Sequence, residues 1–265
     1  MGSLEHANWF MRVLFGAICL IIVVSVLLAQ RGRQMFIRRI PGLSAIEEAV
    51  GRATEMGRPI FFSPGMDSIG IVTLQALSIL SYIVKLAATH ATRVIVGLRA
   101  PTVFPIAEES VREAYQAVGR PDDLRPEDVR FVSDDQFAYA MGSVGIMARE
   151  QVATNFFFGM FYAEALILAE NGRSLGALQV AGCPDPVQIP FFIASCDYVV
   201  IGDEYYAASA YLTREPTLTG SLVGQDIVKG ILIALVIAGF ALATWFGAAG
   251  NEAHNLLLKL LAKGT

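Results

Sequence analysis

The chain has 265 residues, 54% of them hydrophobic and only 17% charged. That balance excludes a disordered chain, which lacks the apolar side chains to bury a core, and it exceeds the needs of a water-soluble domain, where roughly 25% of residues are charged. The formal net charge of −4 supplies no basic field for a nucleic-acid partner.

A bilayer span needs roughly 20 mostly apolar residues. Residues 13–29 form one uncharged window, with Trp9 and Phe10 just before it. A cleaved signal peptide is the competing reading. Against it stand Glu5 with a single basic residue, Arg12, ahead of the window, an apolar stretch long for a leader, and Leu27 at position −3 of a cut after Ala29. Arg31, Arg33, Arg38 and Arg39 follow the window with no acid among them. By the positive-inside rule this basic linker (residues 31–40) lies in the cytoplasm and the N-terminus outside. The expected location is a two-pass protein of the cytoplasmic (inner) membrane with both termini outside.

Residues 41–225 are long enough for one packed cytoplasmic domain. Pro41-Gly42 marks a break after the linker. Six short β-rich runs follow, at residues 59–63, 93–98, 129–133, 154–159, 177–182 and 198–202, nearly continuous in apolar residues, as strands buried on both faces are. Helical patterns come between them, at 68–89, 105–118, 136–150, 162–170 and 187–195. A leading helix covers 44–56 and a closing one 204–212. This alternation predicts an α/β fold, a mostly parallel six-stranded doubly wound (Rossmann-like) sheet with helices on both faces. Each set of three strands opens with two phenylalanines and a Gly-Met step (Phe61-Phe62 with Gly65-Met66, Phe157-Phe158 with Gly159-Met160). Two equivalent halves imply the order 3-2-1-4-5-6 with a crevice between the first and fourth strands. A flavodoxin-like order is the competitor.

The second window is residues 231–246, extended by Ile227 and Val228 before it and Gly247 to Ala249 after it, so that a span covers 226–249. Gly230, Ala234 and Ala238 are four apart, as are Gly239, Ala243 and Gly247. Small residues at this spacing let helices approach closely, so this seam is a candidate for packing on the first span or on a second copy; plain membrane-helix composition is the bland alternative. The tail (250–265) reads as a short interfacial helix with Leu256, Leu257, Leu260 and Leu261 on one side.

In open α/β sheets ligands sit beyond the carboxyl ends of the strands. The candidates there are Ser63, Asp67, Arg99, Asp134, Asp135, Tyr162, Glu164 and Asp185. Clustered acids suit Mg²⁺ or Ca²⁺, but acids and serines before helices are also the preferred caps. Arg99 would hold an anionic ligand group or pair with a rim acid. No phosphate loop, dinucleotide loop or nucleophile elbow is present. Three scattered histidines argue against a zinc site and three isolated cysteines against a disulfide scaffold, so no metal or cofactor is assigned. Cys183 reads as a small buried residue, and Phe156 to Phe158 with Phe191 and Phe192 as core.

Asp134-Asp135-Gln136-Phe137-Ala138-Tyr139-Ala140, Gly145-Ile146-Met147, Asn155-Phe156, Phe161-Tyr162-Ala163-Glu164, Pro190-Phe191-Phe192, Cys196-Asp197-Tyr198, the run from Tyr206 to Leu212 and Gly224-Gln225-Asp226 together resemble a prokaryotic family of membrane-anchored proteins, a domain of unknown function. The resemblance covers most of the soluble part and reaches the second span. It implies the anchored architecture and transfers no catalytic, cofactor or binding residue. Two functions remain open: a scaffold or subunit of an oligomeric membrane complex, partnered by the bilayer and by copies or other subunits, or a small-ligand or metal-dependent binder or enzyme using the crevice.

Overall fold

The computed structural model describes residues 9–31, 40–213 and 216–248. The chain divides into two compact units, Arg38–Thr213 and the paired segments Met1–Ile37 and Arg214–Thr265.

The first unit opens with α2 (Pro41–Met56) and continues β1 (Ile60–Gly65), α3 (Ile71–Thr89), β2 (Val94–Leu98), α4 (Phe104–Ala117), β3 (Val129–Phe131), α5 (Gln136–Glu150), β4 (Thr154–Met160), α6 (Glu164–Ser174), β5 (Leu178–Cys183), α7 (Ile189–Ser195), β6 (Tyr198–Ile201) and α8 (Glu204–Thr213). The strands form one sheet in the order β3-β2-β1-β4-β5-β6, and every neighbouring pair is parallel. This is the order expected from two equivalent halves.

Both faces of the sheet are covered. Ile60, Phe62, Val96, Phe156, Phe158 and Val200 pack with buried residues of α2, α3, α4 and α8. Their neighbours along the strands, Phe61, Ile95, Phe157 and Ala181, pack with α5, α6 and α7. The period-2 alternation of strand side chains divides each apolar run between two cores, which is why the runs show no polar face. Phe62 stacks on Phe158 with ring centroids 6.4 Å apart, and Phe161 meets Phe192 edge-on at 5.2 Å. Phe191, expected in the core, is instead 40% exposed, because α7 is a seven-residue helix that turns only one side to the sheet.

Several boundaries differ from expectation for local reasons. Pro41-Gly42 does not break the chain but starts α2, where proline costs no hydrogen bond. Residues 216–225, expected in the body, are helical and continuous with the second apolar window. Strand β3 stops at Phe131, two residues short.

At the amino edge of the sheet an ion cluster ties strand starts to a helix end. Arg93 donates from Nε to Asp128 (2.7 Å) and from Nη1 to Glu150 (2.8 Å), and Arg130 donates to the other oxygen of Glu150 (2.8 Å). Burial raises the Asp128 carboxyl against the opposing pull of Arg93, whereas the bond from Arg130 lowers Glu150.

The second unit contains α1 (Trp9–Gln30) and α9 (Pro216–Ala248), packed antiparallel. A Cβ on Gly220 would lie 2.7 Å from Val26 Cα, and one on Gly224 would lie 3.1 Å from Ile22 Cα. The close approach is therefore made by Gly220 and Gly224, with Ser25, Ala29 and Val228 buried beside them. The expected seam is not what packs on α1. A Cβ on Gly230 would touch nothing within 4 Å, Ala234, Ala238 and Ala243 are exposed, and Gly239 is only partly covered. Gly247 lies in α9, outside the residues whose side-chain burial is described. The basic linker (except Arg31 and Ile40) and the tail also lie outside the described residues.

Among the described residues three helices are long and apolar enough to cross a membrane: residues Arg12–Gln30, Thr219–Trp245 and also Ile71–Thr89. The third, α3, was not expected as a span. Half of its window is buried, and Ile79, Leu80, Ile83 and Val84 are fully enclosed in the core over the sheet.

Replacing Arg93 by alanine leaves the Asp128 carboxylate, 3% exposed, without its cation. The expected cost is roughly 3 kcal/mol, read as a lowered unfolding midpoint of the detergent-solubilised protein, with the exposed pair Arg112–Glu109 as a control worth under about 1 kcal/mol.

Candidate functional site

The strand order reverses between β1 and β4, and there the two strands stay paired to their carboxyl ends. Past Ser63 the register shifts, and Gly65 pairs with Met160. The amide of Met66 donates to Met160 O at 2.7 Å. Gly65 and Gly159 both have positive φ, +85° and +155°. A Cβ on Gly65 would lie 2.3 Å from Met160 O, and one on Gly159 would lie 1.9 Å from Pro64 O. Glycine is the residue that lets backbones come this close in such a conformation. The two Gly-Met steps noted in the sequence therefore meet each other at the end of the β1–β4 ladder.

Under this contact runs a buried hydroxyl chain. Gly65 N donates to Ser63 Oγ (3.3 Å), Ser63 donates to Tyr139 Oη (2.6 Å) and Tyr139 donates to Gly97 O (3.1 Å). Burial pushes the Tyr139 phenol up to about 12. Ser63 is thus a fully enclosed structural group that joins β1, β2 and α5.

On the β2–β3 side of the rim the candidates hold loops. Arg99 donates from Nη1 to Met66 O and from Nε to Asp134 O, both at 2.8 Å. Its guanidinium clamps three strand ends together through carbonyls. Asp135 Oδ1 accepts from Ala138 N at 2.8 Å as the N-cap of α5. Asp134 is exposed, its carbonyl on Arg99.

On the β1–β4–β5 side four candidates converge. The Tyr162 hydroxyl donates to Asp67 (3.3 Å). The buried Glu164 carboxylate accepts from Tyr162 N (2.8 Å) and from the Gln136 side chain. Burial raises the Tyr162 phenol, and the charges of Asp67, Glu164 and Asp185 add to that rise. Asp185 also accepts from Val187 N at 3.0 Å. The buried Cys183 thiol nearby is raised by burial too, so it is held protonated. Among the described residues no three of His, Cys, Asp and Glu gather as a metal ion requires.

Two cavities lie away from this rim. One of about 520 Å³ runs between α3 and α4 beside Leu212, and one of about 410 Å³ opens at the amino edge by Arg52, Arg173 and Asp197. Residue-level reading missed Tyr139, which sits inside a helix pattern, and Gln136, the donor to Glu164. It also missed the exposed apolar side chains Ile69, Ile71, Val187 and Tyr206 on the same edge. Ile69, Ile71 and Val187 follow strand ends, where an apolar residue has no strand partner, and that position was the available signal.

Residues 3–254 match a family described as Domain of unknown function (DUF6754). The match starts ahead of the first apolar window, so the family includes both terminal helices as well as the sheet. No curated protein and no solved structure gave a significant match.

Two measurements check this geometry. Replacing Gly159 with alanine should cost about 3 kcal/mol or more, whereas the same change at Gly176, also at positive φ but with nothing within 4 Å of its Cβ, should cost about 1 kcal/mol; thermal unfolding compares them. Tyr139 has a folded pKa above the unfolded value of about 10, so its contribution to stability is complete below about 10 and declines as pH rises toward about 12. Tyr139→Phe should flatten that alkaline loss and cost about 1–3 kcal/mol at neutral pH.

Proposed function

The chain belongs to the DUF6754 family of unknown function, and on that premise we propose that it is a membrane-anchored α/β scaffold, a subunit of a larger oligomeric membrane complex. The observation that carries this reading is the closure of the switch point. Ligands of open α/β sheets use that crevice, and here the backbones of Gly65, Met66, Gly159 and Met160 occupy it. The polar groups around it cap helices and clamp loops. The strand order β3-β2-β1-β4-β5-β6 supports reading the fold as Rossmann-like, with the backbones in contact where such a fold usually binds its ligand. A small-ligand or metal enzyme in that crevice is disfavoured by the same contact.

In this reading α1 and α9 are the two spans and α3 is a core helix. Arg31, Arg33, Arg38 and Arg39 hold the α/β unit on the cytoplasmic side of the inner membrane with both termini outside. The small-residue surface of α9 from Gly230 to Ala243 is left uncovered by α1 and is available to another membrane helix.

Crosslinking in native membranes is expected to trap one defined assembly larger than the single chain. Recovery of the single chain alone at working concentration contradicts the proposal. A cysteine at the N-terminus should react with a membrane-impermeant reagent from outside intact cells, and one at Asp122 should not; the reverse pattern contradicts the topology.

A further inference from the structure

The carboxyl edge of the sheet, closed as a crevice, is open as a surface. The segments that follow the six strands carry seven acids, Asp67, Asp134, Asp135, Glu164, Asp185, Asp203 and Glu204, against one base, Arg99. Arg99 gives hydrogen bonds to two backbone carbonyls. The same edge exposes large apolar side chains: Ile69 (54%), Ile71 (72%), Val187 (67%) and the rings of Tyr162 and Tyr206. These loops touch one another. Tyr162 bonds Asp67, which joins the ends of β4 and β1. Tyr205 bonds Val72 O, which joins the start of α8 to the start of α3. The charge of Asp185 reaches Tyr162 from the end of β5. Clustered exposed apolar residues on a folded domain mark an interaction surface.

The chemistry of this patch selects its occupant. The acids repel the anionic headgroups of a cytoplasmic leaflet. A twofold contact of the patch with its own copy would set like charges against each other. The described acids do not gather as metal ligands do. What complements them is a cationic side chain that approaches the exposed Tyr162 ring beside Asp67, carried on a segment whose apolar neighbours cover Ile69, Ile71 and Val187.

We propose that the rim around Tyr162 docks a partner protein through a segment that bears arginine or lysine between apolar residues. The inference rests on the complex-subunit reading and names the partner class of its surface. Val187 and Ile69 hold no side-chain hydrogen bond, so a photo-crosslinking amino acid can replace either in the full chain in native membranes.

The expected result is one protein adduct whose crosslinked peptide carries arginine or lysine flanked by apolar residues. Its yield should fall roughly fivefold in the Asp67→Lys/Asp185→Lys variant. In the unaltered background it should fall similarly between low and high salt, which keeps the test valid if the charge variant does not fold. The same probe at Leu175, exposed at the opposite edge, should give no such adduct. Adducts to lipid, to a second copy, to a peptide without basic residues, or insensitive to both charge and salt overturn the proposal, as does no adduct at either rim position. If the trapped assembly persists while the rim gives none of the expected adduct, the docking claim fails and the subunit reading stands; if the assembly is also missing, both fail.

Discussion

The approach of two backbones at the point where the sheet reverses direction governs the rest of this molecule. Gly65 and Gly159 bring β1 and β4 close enough for Met66 to donate to Met160 beyond the regular ladder. A side chain at either glycine would collide with a carbonyl. The contact carries the β1–β4 pairing to the ends of both strands, where a doubly wound sheet usually places its ligand crevice. Arg99 then reaches carbonyls on two neighbouring loops, and Tyr162 reaches Asp67. What the edge can offer another molecule is a surface of side chains.

The energetic support for that contact comes from below and from both sides. Phe61, Phe62, Phe157 and Phe158 are fully buried on alternate faces of the two central strands. Burying each contributes on the order of 2–3 kcal/mol. The chain Gly65–Ser63–Tyr139–Gly97 satisfies the buried hydroxyls of Ser63 and Tyr139, and an unmade bond there would carry a desolvation cost.

Much of the architecture was legible in the sequence because strands buried on both faces write themselves as apolar runs. All six lie within two residues of their expected bounds, and the paired Gly-Met steps hinted at two halves with the order found, against a flavodoxin-like competitor. What was not legible depended on three-dimensional approach. The glycines that let α9 meet α1 are Gly220 and Gly224, ahead of the apolar window, while the more regular seam of Gly230, Ala234 and Ala238 faces away. Spacing marks where close packing is possible and does not say which turn of a long helix meets its neighbour. At the rim, residue type alone named Asp67, Tyr162, Glu164 and Asp185, which converge, and also Ser63, Arg99, Asp134 and Asp135, which hold the interior and the loops. Only partners separate these roles: the Arg99 bonds run to backbone carbonyls, which carry no sequence signal.

The most direct test of this account is hydrogen exchange at the Met66 amide in the full chain, in membranes or detergent. Closure of the switch point predicts that peptides spanning residues 64–67 exchange on the slow timescale of the β1 interior at Phe61 and Phe62. Exchange of that amide as fast as the exposed residues 68–70 would mean that β1 and β4 part beyond Ser63, and would return the crevice to use as a ligand site.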